Sequence, residues 1–158
     1  MNMKQKILFA TLLLGVMLTA GCKKENWTDW KVQNEAWLAK NMKAEGVQTT
    51  PTGLQYKVLR QGIAGTKPDM LKSVRIRYKG SLITGHVFEE SENADFAVSG
   101  VIDGLAEGLK KMNKSGHYIF YIPQELGYKA EEQGTRGNAS YIPPYSTLIF
   151  DVELTDVY

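Results

Sequence analysis

Between two stretches that read as strands, residues 101 to 112 run Val-Ile-Asp-Gly-Leu-Ala-Glu-Gly-Leu-Lys-Lys-Met. Asp103 reads as an N-cap, and Leu105, Leu109 and Met112 recur at helical spacing opposite Glu107, Lys110 and Lys111. The spacing predicts a short helix with one narrow apolar stripe, and a stripe that narrow needs a sheet to lie on. Val101 and Ile102 sit where the chain enters this helix, so they face whatever lies between helix and sheet. They are candidates for a pocket floor.

The rest of the chain supplies the sheet. After the turn signal Thr50-Pro51-Thr52-Gly53, Leu54, Tyr56 and Val58 alternate with polar neighbours; Val74, Ile76 and Tyr78 alternate with Arg75, Arg77 and Lys79 in the clearest strand of all. Leu82 to Phe88 reads as its hairpin partner with Thr84-Gly85 at the turn, and Phe96-Ala97-Val98 as a short strand leading into the helix. Tyr118 to Ile122 forms another strand, stopped by Pro123. A long polar loop from Lys129 to Ser140 follows, and then a terminal strand in which Leu148, Phe150, Val152 and Leu154 alternate. The expected class is α+β: an antiparallel β-sheet wrapped around one short α-helix, preceded by a helical arm. A chain of 158 residues, 43% hydrophobic and 23% charged, holds one such core and hardly two.

The first residues read as an export signal, with Lys4 and Lys6, an apolar run from Ile7 to Ala20, and Gly21-Cys22. The run is short for a membrane span. The one cysteine stands directly after it, and Leu18-Thr19-Ala20-Gly21-Cys22 resembles a bacterial lipobox, with Thr19 where Leu is usual. Cleavage before Cys22 would leave a lipidated first residue; an ordinary signal peptide is the other reading. Removing Lys4 and Lys6 abolishes the net charge of +2, so the mature chain has no electrostatic footprint for nucleic acid. From Lys23 to about Gly46 the chain is polar but carries Trp27, Trp30, Trp37 and Leu38 at roughly helical spacing, which predicts an amphipathic arm closed by Gly46. Such an arm can dock on its own domain, pair with a second copy, or lie on lipid. The expected division is residues 1–21 as lipoprotein signal peptide, 22–50 as lipidated tether and arm, and 51–158 as the folded domain.

Conventional catalytic groups are scarce. His86 and His117 are the only histidines, no cluster has metal-ligand spacing, and Gly104 with Gly108 lacks the surroundings of a phosphate loop. No cofactor or metal is expected. Aromatic and aliphatic residues gather instead at strand ends and loop edges: Tyr78, Phe88, Phe96, Tyr128, Tyr141, Ile142 and Phe150.

The order of these residues resembles the FKBP family of peptidyl-prolyl cis-trans isomerases over residues 51–158. Arg77-Tyr78-Lys79-Gly80, Val87-Phe88-Glu89-Glu90-Ser91, Val101-Ile102-Asp103-Gly104 with Glu107-Gly108-Leu109, Ile122-Pro123-Gln124-Glu125-Leu126-Gly127-Tyr128, and Tyr141-Ile142-Pro143-Pro144 with Leu148 to Leu154 follow the family's segments in order. Asn34 to Leu38 and Gly46 to Tyr56 resemble bacterial members with a helical arm. The resemblance implies an isomerase acting on X-Pro bonds; with the export signal and lipobox, the expectation is action on exported proteins at the cell envelope, anchored through a lipidated Cys22, at the outer membrane on its periplasmic or surface face. Its partners would be proline-containing polypeptides, macrolide inhibitors held weakly, and a second copy through the arm. It also implies catalytic roles for Tyr78, Phe88, Glu89, Ile102, Tyr128 and Phe150, with Phe96, Val101, Leu105, Tyr141 and Ile142 binding substrate. The Ile102 backbone N–H and the Tyr128 hydroxyl are the implied donors. Departures stand at Glu89 for the family's Asp, Leu105 for its floor Trp, Ala94 for an aromatic, and Lys129 for a Gly before a longer loop. The smaller floor keeps open a reading as a weakly catalytic or non-catalytic peptide-binding chaperone.

Overall fold

Strand pairing is antiparallel throughout in the computed structural model, which describes residues 26–158; the export segment and Cys22 lie outside the described residues. Val47–Thr49 (β1), Gln55–Arg60 (β2), Ser73–Leu82 (β3), Val87–Ala97 (β4), His117–Ile122 (β5) and Leu148–Val157 (β6) lie in the order β1-β2-β5-β6-β3-β4. Residues of β3 and β5, and of β6 as far as Leu154, alternate between buried and more exposed, because each strand turns every second side chain to one face. Thus Val74, Ile76 and Tyr78, with Tyr118, Phe120 and Ile122, and Leu148, Phe150, Val152 and Leu154, form one continuous apolar surface.

The helix expected from Val101 to Met112 lies on that surface as Asp103–Leu109 (α2), with Leu105, Leu109 and Met112 buried beneath it. Gly104 and Gly108 have a packing role. A Cβ at Gly104 would stand 2.5 Å from Ile122 Cγ2, and one at Gly108 2.6 Å from Phe120 Cε1, so hydrogen there lets the helix backbone settle onto β5. Two details differ from the sequence reading. Ile102 is the N-cap, with φ of −58° and ψ of 150°, and Asp103 is the first helical residue, an acidic side chain in the turn that the helix dipole makes favourable, with no side-chain capping bond. The helix also ends at Leu109, since Lys110 to Gly116 turn back toward β5.

The arm forms an α-helix, Thr28–Asn41 (α1), and it docks on its own domain. Trp37 meets Tyr121 with ring centroids 5.7 Å apart, and Gln55 Nε2 donates to Leu38 O at 3.0 Å. Tyr121 alternates with the residues under α2, so α1 covers the opposite face of the sheet. Its docked stripe centres on the buried Asn34, which the tryptophan spacing does not reveal. Gly46 does not close the helix, which is capped at Met42; with φ of +76° it belongs to the turn into β1. The expected hairpin partner Leu82 to Phe88 is mostly the end of β3 and the turn; only Val87 and Phe88 belong to β4, which runs on through Phe96 and Ala97 into a 3₁₀ turn at Val98–Gly100. Its register against β3 slips twice, and acidic residues fill the interval, so no alternation marks it in the sequence.

Candidate functional site

Beside the entry end of α2, between it and β3, β4 and β6, lies a cavity of about 240 Å³. Val101, Ile102 and Leu105 line it from the helix side, Tyr78 and Ile76 from β3, Phe96 from β4, and Phe150 from β6. The aromatic rings brace one another: Tyr78 and Phe96 meet edge to face at 5.8 Å, Tyr78 and Phe150 stand 6.1 Å apart, and Phe88 meets Phe150 edge to face at 5.7 Å. Such pairs fix ring orientation as well as bury area. Tyr128 reaches the cavity from the loop after the 3₁₀ turn Gln124–Leu126.

Polar groups gather at one edge. Glu89, exposed on β4, faces the Tyr78 and Tyr128 side chains. Burial, and then the hydrogen bond to and charge of Glu89, push the Tyr78 hydroxyl well above the usual tyrosine range. Burial and the same carboxylate push Tyr128 up. Both therefore remain neutral donors at any physiological pH. Ile102 precedes the helical ladder, so its N–H is not consumed by it.

Eight of the eleven pocket residues named from sequence line this cavity: Tyr78, Glu89, Phe96, Val101, Ile102, Leu105, Tyr128 and Phe150. Three do not. Phe88 lies behind, its ring supporting Phe150 and filling the space above Gly80, where a Cβ would come within 2.5 Å of it. Ile142 is buried in the core, its backbone bridged to Gln133. Tyr141 turns away to donate its hydroxyl to Glu132 at 2.7 Å. Sequence reasoning missed Ile76 and Gly100; Ile76 shares the face of Tyr78 by simple alternation, whereas nothing marks Gly100 beyond its nearness to Val101.

The histidines stand elsewhere. His86 Nε2 bonds Ala139 O at 2.7 Å, joining the β3–β4 hairpin to the long loop, and His117 Nε2 lies 2.5 Å from Asp151 on the outer sheet face. Beside it Glu153 binds both Arg60 and Arg77. Among the described residues no group of His, Cys, Asp or Glu side chains is placed to hold a metal ion. A second, open groove of about 1020 Å³ runs between α1 and the loop, past Trp27, Lys31, Glu132, Arg136 and Tyr145.

Residues 64–155 match the family described as FKBP-type peptidyl-prolyl cis-trans isomerase, and residues 16–58 match the domain amino terminal to FKBP-type peptidyl-prolyl isomerase. The chain is 40% identical over 139 residues to an FKBP-type 22 kDa peptidyl-prolyl cis-trans isomerase of Escherichia coli, an alignment covering 85% of this chain and 65% of that one. Other curated relatives are longer, so that the chain spans about half their length. Its fold superimposes on the crystal structure of FkpA from Escherichia coli with a TM-score of 0.73 at 41% identity, covering 82% of this chain and 59% of that one. A peptidyl-prolyl cis-trans isomerase from Pseudomonas syringae gives 0.75 at 28% identity, covering 84% and 96%.

Proposed function

Because the chain belongs to the FKBP-type peptidyl-prolyl cis-trans isomerase family, we propose that it catalyses rotation about X-Pro bonds in exported polypeptides. The observation that carries this reading is the apolar cavity of about 240 Å³ with its polar groups confined to one edge. The reaction breaks no σ bond. Its barrier, ~20 kcal/mol, is the loss of amide resonance as the C–N bond twists, so the site has only to bind the twisted amide better than the planar one. A proline ring seated among Tyr78, Phe96, Leu105 and Phe150 leaves its preceding carbonyl among apolar side chains, away from water. The planar, charge-separated amide needs solvation more than the twisted one does, so this dry setting raises the ground state relative to the transition state. The Ile102 N–H and the Tyr128 hydroxyl hold the backbone on either side, and Glu89 fixes the Tyr78 hydroxyl. Phe88, Tyr141 and Ile142 then act by supporting the site rather than by touching proline.

Identity of 40% to a named isomerase supports turnover over mere retention of peptide. Leu105 sets its strength, since a smaller floor gives the proline ring fewer contacts. Macrolide inhibitors would occupy the same cavity with reduced affinity. The Ile7 to Ala20 run and Cys22 support export and acyl anchoring at the outer membrane. Residues 51–158 act as the isomerase domain and 22–50 as tether and arm. Pairing of two chains through the tryptophan stripe would require α1 to leave its own sheet. The test is protease-coupled isomerisation of an X-Pro tetrapeptide by the mature chain. Burst kinetics no faster than the uncatalysed reaction would refute the isomerase reading.

A further inference from the structure

Three successive residues leading into β6 are each held by α1. Lys31 Nζ stands 5.4 Å from the Tyr145 ring centroid; Trp30 Nε1 donates to Ser146 Oγ at 3.1 Å; and Asn34 Oδ1 accepts the Thr147 N–H at 2.8 Å. Ser146 Oγ donates onward to Pro143 O at 2.7 Å, while Asn34 Nδ2 donates to Trp30 O at 2.8 Å, so both polar ends of this buried amide are used. The grip extends toward the cavity. Tyr145 N–H donates to Lys129 O at 2.7 Å, and Lys129 directly follows Tyr128, whose side chain lines the site. Tyr145 and Lys129 have φ of +59° and +56°, a left-handed geometry that residues with side chains seldom adopt and that persists only where neighbours hold it.

We propose that α1 is a positioning device for the isomerase site: Asn34, acting through Thr147, Tyr145 and Lys129, holds Tyr128 against the cavity. The proposal rests on the isomerase reading above. It explains why an asparagine occupies the centre of a stripe flanked by tryptophans. Leucine would fit there, but it would leave the Thr147 N–H without its acceptor.

The test uses the full mature chain with Asn34→Leu, Asn34→Asp, and Asn34→Leu combined with Lys129→Gly. Each is measured for kcat/KM on an X-Pro tetrapeptide and for the pH titration of Tyr128 by NMR of ring-labelled tyrosine. Asn34→Leu should lower kcat/KM by about fivefold and move the Tyr128 titration down toward the ordinary tyrosine value, leaving Tyr78 in place. Asn34→Asp keeps the acceptor for Thr147 but gives up the donor to Trp30 O, so it should lower the melting temperature while losing less rate than Asn34→Leu. Lys129→Gly should recover part of the rate, because glycine adopts the left-handed geometry without side-chain strain. If Asn34→Leu fails to fold, Trp30→Phe removes only the donor to Ser146 and should shift both readouts the same way. A lowered melting temperature with unchanged rate and unchanged Tyr128 titration would overturn the proposal, leaving α1 as a structural strut. A wild-type chain without activity would instead defeat the isomerase reading, and the Tyr128 titration would still decide the coupling.

Discussion

Leu105 is 5% exposed and lines the cavity from beneath, so it is the residue whose size most directly sets how a proline ring is seated. An indole there would add a flat face, and burying it is worth on the order of 1 kcal/mol at ~25 cal/mol per Å². Leu105→Trp should therefore raise kcat/KM and macrolide affinity together, by up to about tenfold. Melting curves must accompany the rates, since overpacking would lower both. Tyr128→Phe removes a donor without changing shape and should lower the rate in the same assay. The tyrosines also predict a pH limit. Burial raises Tyr78 and Tyr128 above the ordinary value of 10.0, so the folded state binds more protons than the unfolded one above that pH. Stability should be level through neutrality and fall as pH rises past about 10, read as the urea midpoint. These lining residues were legible in the sequence through their order, whereas Phe88, Tyr141 and Ile142 were not separable from them. Their side-chain directions depend on register slips and loop contacts that a linear pattern does not encode.

Among the elements, α2 was legible because three apolar residues at helical spacing sat between two clear strands. Its close approach to β5 was not, since Gly104 and Gly108 carry no side chain to announce a contact. Gly108→Ala would set a methyl 2.6 Å from a Phe120 ring carbon that is itself fully buried. Overpacking of this kind costs ~1–3 kcal/mol, and chemical denaturation should show it directly. Strand β4 escaped reading because it is an edge: it pairs with β3 alone, the acidic residues Glu89, Glu90, Glu92 and Asp95 interrupt its apolar positions, and its bulges break the alternation. The arm was visible as a helix from its tryptophans, but its docking was decided by amides. Asn41 Nδ2 bonds Gln55 Oε1 at 2.9 Å and Asn34 bonds Thr147, contacts that a polar residue in a charged segment does not advertise. A chain begun at Gly46 should melt at lower temperature than one begun at Lys23. Both should sediment as monomers, because the stripe is spent on the chain's own sheet; a larger species for the longer chain alone would show pairing through the arm.

For the whole molecule, the proposed anchor at Cys22 can be tested directly. Cys22→Ser should release it to the soluble envelope fraction and abolish labelling by a fatty-acid analogue; unchanged partition would place the anchor elsewhere. Strand order carries a further consequence. The sheet runs β1-β2-β5-β6-β3-β4, so its inner strand β6, flanked by β5 and β3, follows all the other described strands in chain order. Until residues 148–157 are present, β5 and β3 have no partner between them, and the two halves of the sheet cannot join. Ribosomes add roughly 5–20 residues each second, and pairings this distant in sequence close slowly. A chain cut before residue 148 should therefore lack a cooperative unfolding transition in urea. Were the chain exported as proposed above, that late closure would leave the sheet open, in a form that an export channel can thread, until β6 joins it.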